Sequence, residues 1–411
     1  MPTPSTTMRS SSPTASARPA RIAALWLGIQ LVWGAVLGIA LQARCVQLAP
    51  HASLSLFAVV ATAGAFAAAV TQLIAGPWSD YLVRKDTGRS GFYVTGVGAG
   101  AIAVMAFFAA PTIPLLLAAF VALQISLNVA IGPYQAIVPD TMPPQRFGVG
   151  SAWIAAMQSA GNGAGAVLAT LLGTTPLLGV VLAVAMLAAA AVTIVHVRAL
   201  APVKGAPAHR TVGRLGGVFV DLFISRALVY VGFYTMLGYL FFFIAGVLPH
   251  GFPLDATRVS GLAILLVTLV GSIGAALAAG PADRLDERLV VSAGAGLIGI
   301  SLLTLSAVHI WPIFAGVTVA AGIGWGIFLC ADWALACRVL PPTAMAGSMA
   351  VWNLAVLGPQ MLAPPVASAA LVFTGTLHTN AGPSVAIALA GTEMLMGAAW
   401  IWRLPHADVG N

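Results

Sequence analysis

Apolar runs long enough to cross a lipid bilayer follow one another along most of the chain. We count twelve runs of about 18 to 25 residues, and a helix needs about 20 apolar residues to cross ~30 Å of hydrocarbon. Only 7% of the 411 residues are charged, whereas about a quarter are charged in a typical soluble domain. The chain is therefore predicted to be an all-α integral membrane protein with twelve transmembrane helices.

The runs favour helices over the strands of an outer-membrane barrel. They are rich in Ala, Leu and Gly and lack strict alternation of polar and apolar residues, and a helix satisfies its own backbone hydrogen bonds in lipid. The predicted spans are 22–41, 54–75, 91–110, 114–138, 149–173, 177–196, 226–247, 260–279, 289–308, 312–336, 347–373 and 383–402.

The basic residues predict the orientation of these spans. With both termini in the cytoplasm, sixteen of the eighteen lysines and arginines fall on the cytoplasmic side, and only Arg44 and Arg258 fall outside. Short cytoplasmic loops carry such an excess of basic residues. The net charge of +7 therefore indicates membrane topology rather than nucleic-acid binding, and we expect a multi-pass protein of the cytoplasmic (inner) membrane.

The chain is predicted to contain two six-helix halves, 22–196 and 222–403, joined by a cytoplasmic central loop at 197–221. Residues 1–21 are predicted to be a disordered cytoplasmic tail, and 404–411 a second cytoplasmic tail. Two weak internal echoes support a duplication. Gly-Pro-Trp-Ser-Asp at 76–80 matches Gly-Pro-Ala-Asp-Arg at 280–284, and double prolines at 143–144 and 341–342 precede Trp153 and Trp352.

The segment 76–89 after the second run resembles the G-x-x-x-D-R-x-G-R-R loop of the major facilitator superfamily. That resemblance implies twelve helices in two halves, with a glycine that allows close helix approach and charges that hold one gating state. The alternative is a solvated charge run that only follows the positive-inside rule. The candidate gating residues in the two halves are Gly76, Asp80, Arg84, Lys85, Arg89, Asp283 and Arg284.

Segments 132–140, 150–153, 349–353 and 359–364 resemble the corresponding helices of glycoside–pentoside–hexuronide cation symporters and sucrose transporters. This resemblance implies uptake of a sugar or glycoside, driven by a proton or sodium gradient through rocking of the two halves. The main alternative is a proton-antiport exporter of drugs or small metabolites. A membrane sensor that transports nothing is disfavoured, because the tails and central loop are short.

Amide and aromatic side chains inside the predicted spans are candidates for substrate binding. Amides supply paired donors and acceptors to hydroxyl groups, and aromatic faces stack on the apolar face of a sugar ring. The alternative for each amide is hydrogen bonding between packed helices. The candidates are Gln30, Trp33, Gln124, Asn128, Gln135, Tyr230, Tyr234, Trp325, Asn353 and Gln360.

Three ionisable residues inside predicted spans are candidates for ion coupling: Asp332, Glu393 and Arg226. A charge at that depth is costly unless it is paired, hydrated or neutralised. The alternatives are a structural ion pair for Asp332 and the positive-inside rule for Arg226. For Glu393 the alternative is a contact with a neighbouring helix, since the superfamily resemblance implies a peripheral twelfth helix. Arg226 is also the candidate partner of Asp332.

No motif of a soluble enzyme or of an ATP-driven pump occurs in the chain. No cofactor or metal site is expected, since six of the seven histidines fall in predicted loops or tails. The three cysteines are interpreted as free thiols. We expect a monomer that binds a small-molecule substrate and a proton or sodium ion.

Overall fold

The computed structural model describes residues 17–50, 53–200, 216–246, 256–307, 310–340, 344–376, 379 and 381–405, and these form twelve long helices. In the first half they are α1 (Pro19–Ala35, continued by Val36–Ala40 and Leu41–Leu48), α2 (Ser53–Val83), α3 (Ser90–Ala109), α4 (Ile113–Tyr134), α5 (Phe147–Leu172) and α6 (Pro176–Ala199). In the second half they are α7 (Gly217–Gly246), α8 (Ala256–Ala278), α9 (Glu287–Ala307), α10 (Trp311–Val339), α11 (Met345–Phe373) and α12 (Gly382–Trp400).

The prediction of a twelve-helix membrane fold is confirmed. Within the described residues, ten helices are long and apolar enough to cross a membrane, and α11 qualifies as two segments, Met345–Ala363 and Pro365–Phe373, bent by 43°. The remaining helix, α5, carries Gln158 and Asn162 among its glycines and is less apolar. It packs against α1, α8 and α10, so its polar positions are covered by protein rather than by lipid.

The two halves repeat one pattern of helix packing. In the first half α1 packs on α5 and α6, α3 packs on α4 and α6, and α2 packs on α4. In the second half α7 packs on α11 and α12, α9 packs on α10 and α12, and α8 packs on α10. This agreement supports a duplicated six-helix unit.

The halves meet through α2 with α11 and through α5 with α8, and additionally through α4 with α11 and α5 with α10. We call the end of the bundle where α2, α4, α8 and α10 end and where α5 and α11 begin the basic end. Gly76 lies at the α2–α11 crossing there. A Cβ atom at this position would lie 2.6 Å from the carbonyl oxygen of Ala346, so only glycine allows this approach.

Two helix ends near the basic end differ notably from the predicted ones. Helix α2 continues to Val83 with Pro77 inside it, so Gly76 and Asp80 lie on a helix rather than in a loop. Helix α4 ends at Tyr134, and a short helix, Ile137–Thr141, follows after a break. The sequence pattern could not show either feature. Gly-Pro-Trp-Ser-Asp at 76–80 is typical of a loop, and the apolar residues 136–138 follow α4 with only Gln135 between.

The predicted central loop is shorter than 197–221 at both ends. Helix α6 continues to Ala199, and α7 begins at Gly217. Asp221 can lie on α7 because its carboxylate accepts a hydrogen bond from Trp400 Nε1 at 3.0 Å. Residues 201–215, 1–16 of the predicted first tail and 406–411 of the second lie outside the described residues.

Candidate functional site

Four aromatic rings form a layer that bridges the two halves near the basic end. Trp26 of α1 stacks on Tyr134 with ring centroids 5.4 Å apart. Trp26 also meets Trp333 of the second half edge to face at 5.7 Å, and Trp333 meets Trp352 in the same way. Each ring lies six or seven residues inside the basic end of its segment, which corresponds to about 10 Å of helix. We call Trp26, Tyr134, Trp333 and Trp352 the aromatic layer.

An ion pair between Arg226 and Asp332 adjoins this layer. The two side chains are buried, with 4% and 2% of their surfaces exposed, and they are joined through Arg226 Nη1 and Asp332 Oδ2. The Arg226 guanidinium also lies 3.5 Å from the centre of the Trp352 ring and 4.9 Å from that of Tyr230. A cation over desolvated aromatic faces gains about 2 kcal/mol, so Arg226 has favourable partners besides Asp332.

Glu393 occupies a different position. It is buried on α12, the helix that packs against α7 and α9. Its neighbours Ala390 and Met394 contact Gly232 of α7, six residues beyond Arg226 along that helix. One carboxylate oxygen of Glu393 has no hydrogen-bond partner among the described residues.

A row of four amide side chains crosses between the halves. Asn128 donates to Gln124 Oε1 at 3.3 Å, and Gln72 donates to Asn128 Oδ1. Asn353 of α11 donates to Gln72 Oε1 at 3.0 Å. The sequence predicted Gln124, Asn128 and Asn353 as site residues but missed Gln72, which links them. We call these four residues the amide row.

Other predicted substrate residues lie in more varied places. Gln30 is buried where α1 crosses Gly161 of α5. Trp33 is half-buried two helical turns after Trp26. Gln360 is exposed two turns after Asn353 and therefore lies on the same face of α11.

Gln135 directly follows α4 and is not a member of the amide row, although its backbone N–H still donates to the Ile131 carbonyl oxygen at 3.0 Å. Helix α4 ends at Tyr134, and the chain turns before Ile137. The Gln135 side chain is buried, and its Oε1 has no hydrogen-bond partner among the described residues.

Aromatic side chains dominate the inner part of the second half, beyond Arg226. Phe233 stacks on Trp325 with centroids 4.5 Å apart and an interplanar angle of 13°. Tyr230 meets Trp325 edge to face at 5.5 Å, and Tyr234 packs against Phe233 at 5.3 Å. Trp325 lies two turns before Asp332 on α10, so this group adjoins the ion pair.

At the basic end, Asp80 of α2 caps the first turn of α11 in the opposite half. Its carboxylate accepts hydrogen bonds from the backbone N–H groups of Ala346 at 3.3 Å and Gly347 at 2.8 Å. Asp80 also pairs with Arg89 at 2.8 Å, and Arg89 in turn pairs with Asp140 at 2.6 Å. We call the two backbone contacts the Asp80 cap.

Arg89 remains charged in this setting. Burial lowers its pKa, but the charges of Asp140 and Asp80 outweigh that effect and raise the pKa above its ordinary value. Asp80 and Asp140 therefore keep a positively charged partner over the whole pH range in which the protein is handled.

The second half supplies an equivalent cap. Asp283, in the short helix Pro281–Arg284, accepts from the backbone N–H groups of Gly148 at 2.6 Å and Val149 at 3.1 Å. Its cationic partner is Arg338, at 3.0 Å, which also pairs with Glu287. We call the two backbone contacts the Asp283 cap.

Three of the predicted gating cations, Arg284, Lys85 and Arg84, take no part in either cap. Arg284 is exposed, and Arg338 takes the role beside Asp283. Lys85 is exposed and lies 4.5 Å over the Tyr81 ring, and Arg84 is exposed in the same turn. The sequence could not choose between Arg284 and Arg338, because the choice depends on how α10 packs beside α8.

The comparisons with known proteins agree with this geometry. A family model for the Major Facilitator Superfamily matches residues 25–364. A bacterial homologue of the iron transporter ferroportin, in an outward-facing crystal structure, superposes with a TM-score of 0.70 at 14% identity, over 94% of this chain and 99% of that one. The human organic anion transporter MFSD10 (TETRAN) superposes with a TM-score of 0.71 at 15% identity, over 94% and 100%. No curated protein sequence matches the chain.

Two six-helix halves that meet around a polar and aromatic centre define a membrane transporter. The chain belongs to the Major Facilitator Superfamily. It is therefore a non-enzymatic, multi-pass protein that moves a small solute across a membrane, and the alternative of a sensor without transport is set aside. At 14–15% identity the solved structures show the fold alone.

Proposed function

We propose that this protein is a proton-coupled transporter of a small polar solute, with a sugar or glycoside as the leading substrate class. The observation that carries the proposal is the buried Arg226–Asp332 pair beside the aromatic layer that bridges the halves. Both residues belong to the second half, and Trp333, next to Asp332, contacts Trp26 of the first half. Protonation of the carboxylate can therefore be coupled to movement of the two halves.

The coupling step follows from the partners of Arg226. Protonation of Asp332 removes its attraction for the guanidinium, which then keeps only the Trp352 and Tyr230 rings. The aromatic layer then loses part of its support, since Trp352 contacts both Arg226 and Trp333. Return of Arg226 to an ionised Asp332 restores the layer and releases the proton.

The access cycle would use the two caps at the basic end. The Asp80 cap joins α2 to α11, and the Asp283 cap joins the α8–α9 connection to α5. We therefore infer a conformation that is closed at this end. If the basic end faces the cytoplasm, as the positive-inside rule predicts, this conformation faces outward. In intact cells, an impermeant thiol reagent should then label Thr175→Cys, at the opposite end, and not Thr87→Cys. Labelling of Thr87→Cys alone would mean that the basic end faces outside and that the predicted orientation is wrong.

A sugar or glycoside suits the residues beyond the aromatic layer. The amide row offers donors and acceptors from both halves, and its members can exchange their mutual hydrogen bonds for bonds to hydroxyl groups. The half-buried rings of Trp33 and Trp325 are of a kind that suits the apolar face of a sugar ring.

A second candidate is a proton-antiport exporter of small amphipathic compounds. The stacked Phe233 and Trp325 rings with Tyr230 and Tyr234 favour this alternative, because such a wall binds flat apolar ligands without hydroxyl groups. The iron and organic anion transporters that share the fold show that the fold itself does not select a substrate class.

The test uses purified protein in liposomes. Uptake of labelled mono- and disaccharides is measured with an imposed proton gradient, with a sodium gradient, and with neither. We expect at least one sugar to accumulate with the proton gradient and Asp332→Asn to lose accumulation while it retains exchange down a substrate gradient. Asp86→Asn, which changes an exposed acid in the α2–α3 turn, is the control and should accumulate normally.

Each other outcome contradicts part of the proposal. Normal accumulation by Asp332→Asn would remove Asp332 from coupling and direct attention to Glu393. Accumulation with sodium alone would replace the proton. Expulsion of hydrophobic cations with no response to any sugar would select the exporter.

A further inference from the structure

A groove of about 620 Å³ lies between the start of α1 and the last turns of α6 at the basic end, apart from the aromatic layer and both caps. Arg18, Arg21 and His196 line it together with Val192 and Val195 of α6. Its volume falls in the range of about 300 to 1,000 Å³ that is typical of ligand sites. The transport cycle proposed above uses none of these residues.

The polar side of the groove is cationic. Arg18 and Arg21 are exposed, and neither guanidinium pairs with a carboxylate among the described residues. The Arg18 backbone N–H donates to His196 Nε2 at 2.9 Å. An imidazole that accepts at Nε2 carries its proton on Nδ1, so His196 keeps one donor. Among the residues that line the groove, none carries a carboxylate.

The other side of the groove is apolar and exposed. Val192 is 47% exposed and Val195 is 69% exposed, and both lie near the end of the spanning helix Pro176–Ala199. Exposed valines on a spanning helix contact lipid chains. Since Arg18 and Arg21 lie beside the end of this spanning helix, we expect them at the level of the headgroups.

We propose that this groove binds the phosphate headgroup of an anionic phospholipid, with an acyl chain along Val192 and Val195. Two guanidinium groups and the imidazole N–H supply the donors for a phosphodiester. The adjoining apolar face can contact the acyl chain of a lipid, whereas free phosphate has no apolar part to contact it. A zwitterionic lipid would bring its own cation to a groove that holds two.

A bound headgroup would stabilise the start of α1. Directly behind the groove, Thr193 Oγ1 donates to the Arg21 carbonyl oxygen at 2.8 Å and accepts from the Leu25 N–H at 2.9 Å. Trp26 of the aromatic layer follows Leu25 immediately. The lipid would therefore hold together the α1–α6 contact that positions Trp26.

The test measures thermal unfolding of the full-length protein in detergent with added phosphatidylglycerol, phosphatidylcholine or inorganic phosphate. Phosphatidylglycerol should raise the unfolding midpoint by several degrees, and the other two should not. Arg18→Gln with Arg21→Gln should abolish most of that rise. Arg198→Gln is the matched control, because Arg198 lies at the same end of α6 but points to Ser90 Oγ at 3.4 Å, and it should keep the rise.

An equal response to inorganic phosphate would mean a free-anion site and would overturn the lipid assignment. An equal response to phosphatidylcholine would mean unspecific uptake of lipid. Equal loss in Arg198→Gln would mean diffuse attraction to basic charge rather than a site. Should the double variant not fold, the single variants Arg18→Gln and Arg21→Gln should each lose part of the rise, and a full rise in both would refute the proposal.

Discussion

Replacement of Asp80 by Asn should shift the protein away from the conformation that is closed at the basic end. Asp80 accepts two backbone hydrogen bonds from α11 of the opposite half, at 3.3 and 2.8 Å. Hydrogen bonds to a charged group contribute about 1.5 to 3 kcal/mol each. An Asn side chain keeps the volume and one neutral acceptor but loses the charge that favours the start of a helix.

The expected loss of closed-state stability is about 2 to 3 kcal/mol, because Asn restores part of one bond and none of the charge. At 1.4 kcal/mol per factor of ten, this shifts the closed-to-open ratio by about 30- to 150-fold. The Asp283 cap remains in the single variant. Loss of both caps in Asp80→Asn with Asp283→Asn should multiply the two effects, to a shift of at least about 10³-fold.

Spin labels at Thr87 and Leu285, both exposed at the basic end, report the opening as a second, longer distance in pulsed dipolar spectroscopy. Asp86→Asn removes an equal charge from the neighbouring α2–α3 turn, six residues after Asp80, and should leave the wild-type distance. Wild-type distances in the double variant would refute the role of the caps. An equal shift in Asp86→Asn would attribute the effect to the net charge of the loop.

Two buried features and one network give further predictions. Arg226→Met and Asp332→Leu should each lower the free energy of unfolding by about 3 kcal/mol, since each leaves an unpaired buried charge, and the double variant should recover most of the loss in reversible unfolding measurements. Gly326→Ala should cost about 1 to 3 kcal/mol, because its Cβ would overlap a backbone carbonyl of α8, whereas Gly296→Ala, with no atom within 4 Å, should be neutral or slightly stabilising. Arg89→Gln should destabilise the protein equally at pH 6 and pH 10. The pKa of Arg89 is raised above its ordinary value, so the stability it contributes is complete below about pH 12, and a difference that shrinks towards pH 10 would contradict this.

The sequence by itself determined the class of structure. The length and hydropathy of each span are local properties, so twelve helices and two halves could be predicted without any tertiary contact. The sequence similarity between Gly76–Asp80 and Gly280–Asp283 corresponds to a similar structural role, since both aspartates cap a helix of the opposite half. Local spacing was enough here because the duplicated segments perform the same task in each half.

The partners of the site residues depended on tertiary structure. Asp332 and Arg226 were recognised as deep charges, but Gln72, which connects Asn128 to Asn353, carried no signal that set it apart from other amides. Trp333 stands next to Asp332 in the sequence, but its spacing does not predict that it belongs to the aromatic layer. The hydropathy of Gln72 and Trp333 does not distinguish them from other residues of their spans.

The physical reason is that hydropathy reports how deep a residue lies and not which neighbour it faces. Neighbours are decided by helix rotation and by close crossings such as the one at Gly76, where the Ala346 carbonyl leaves no room for a side chain. That crossing brings the Asp80 carboxylate to the start of α11. Packing of α10 beside α8 likewise selects Arg338 over Arg284 as the partner of Asp283. Such partners are a property of the assembled bundle rather than of any one helix.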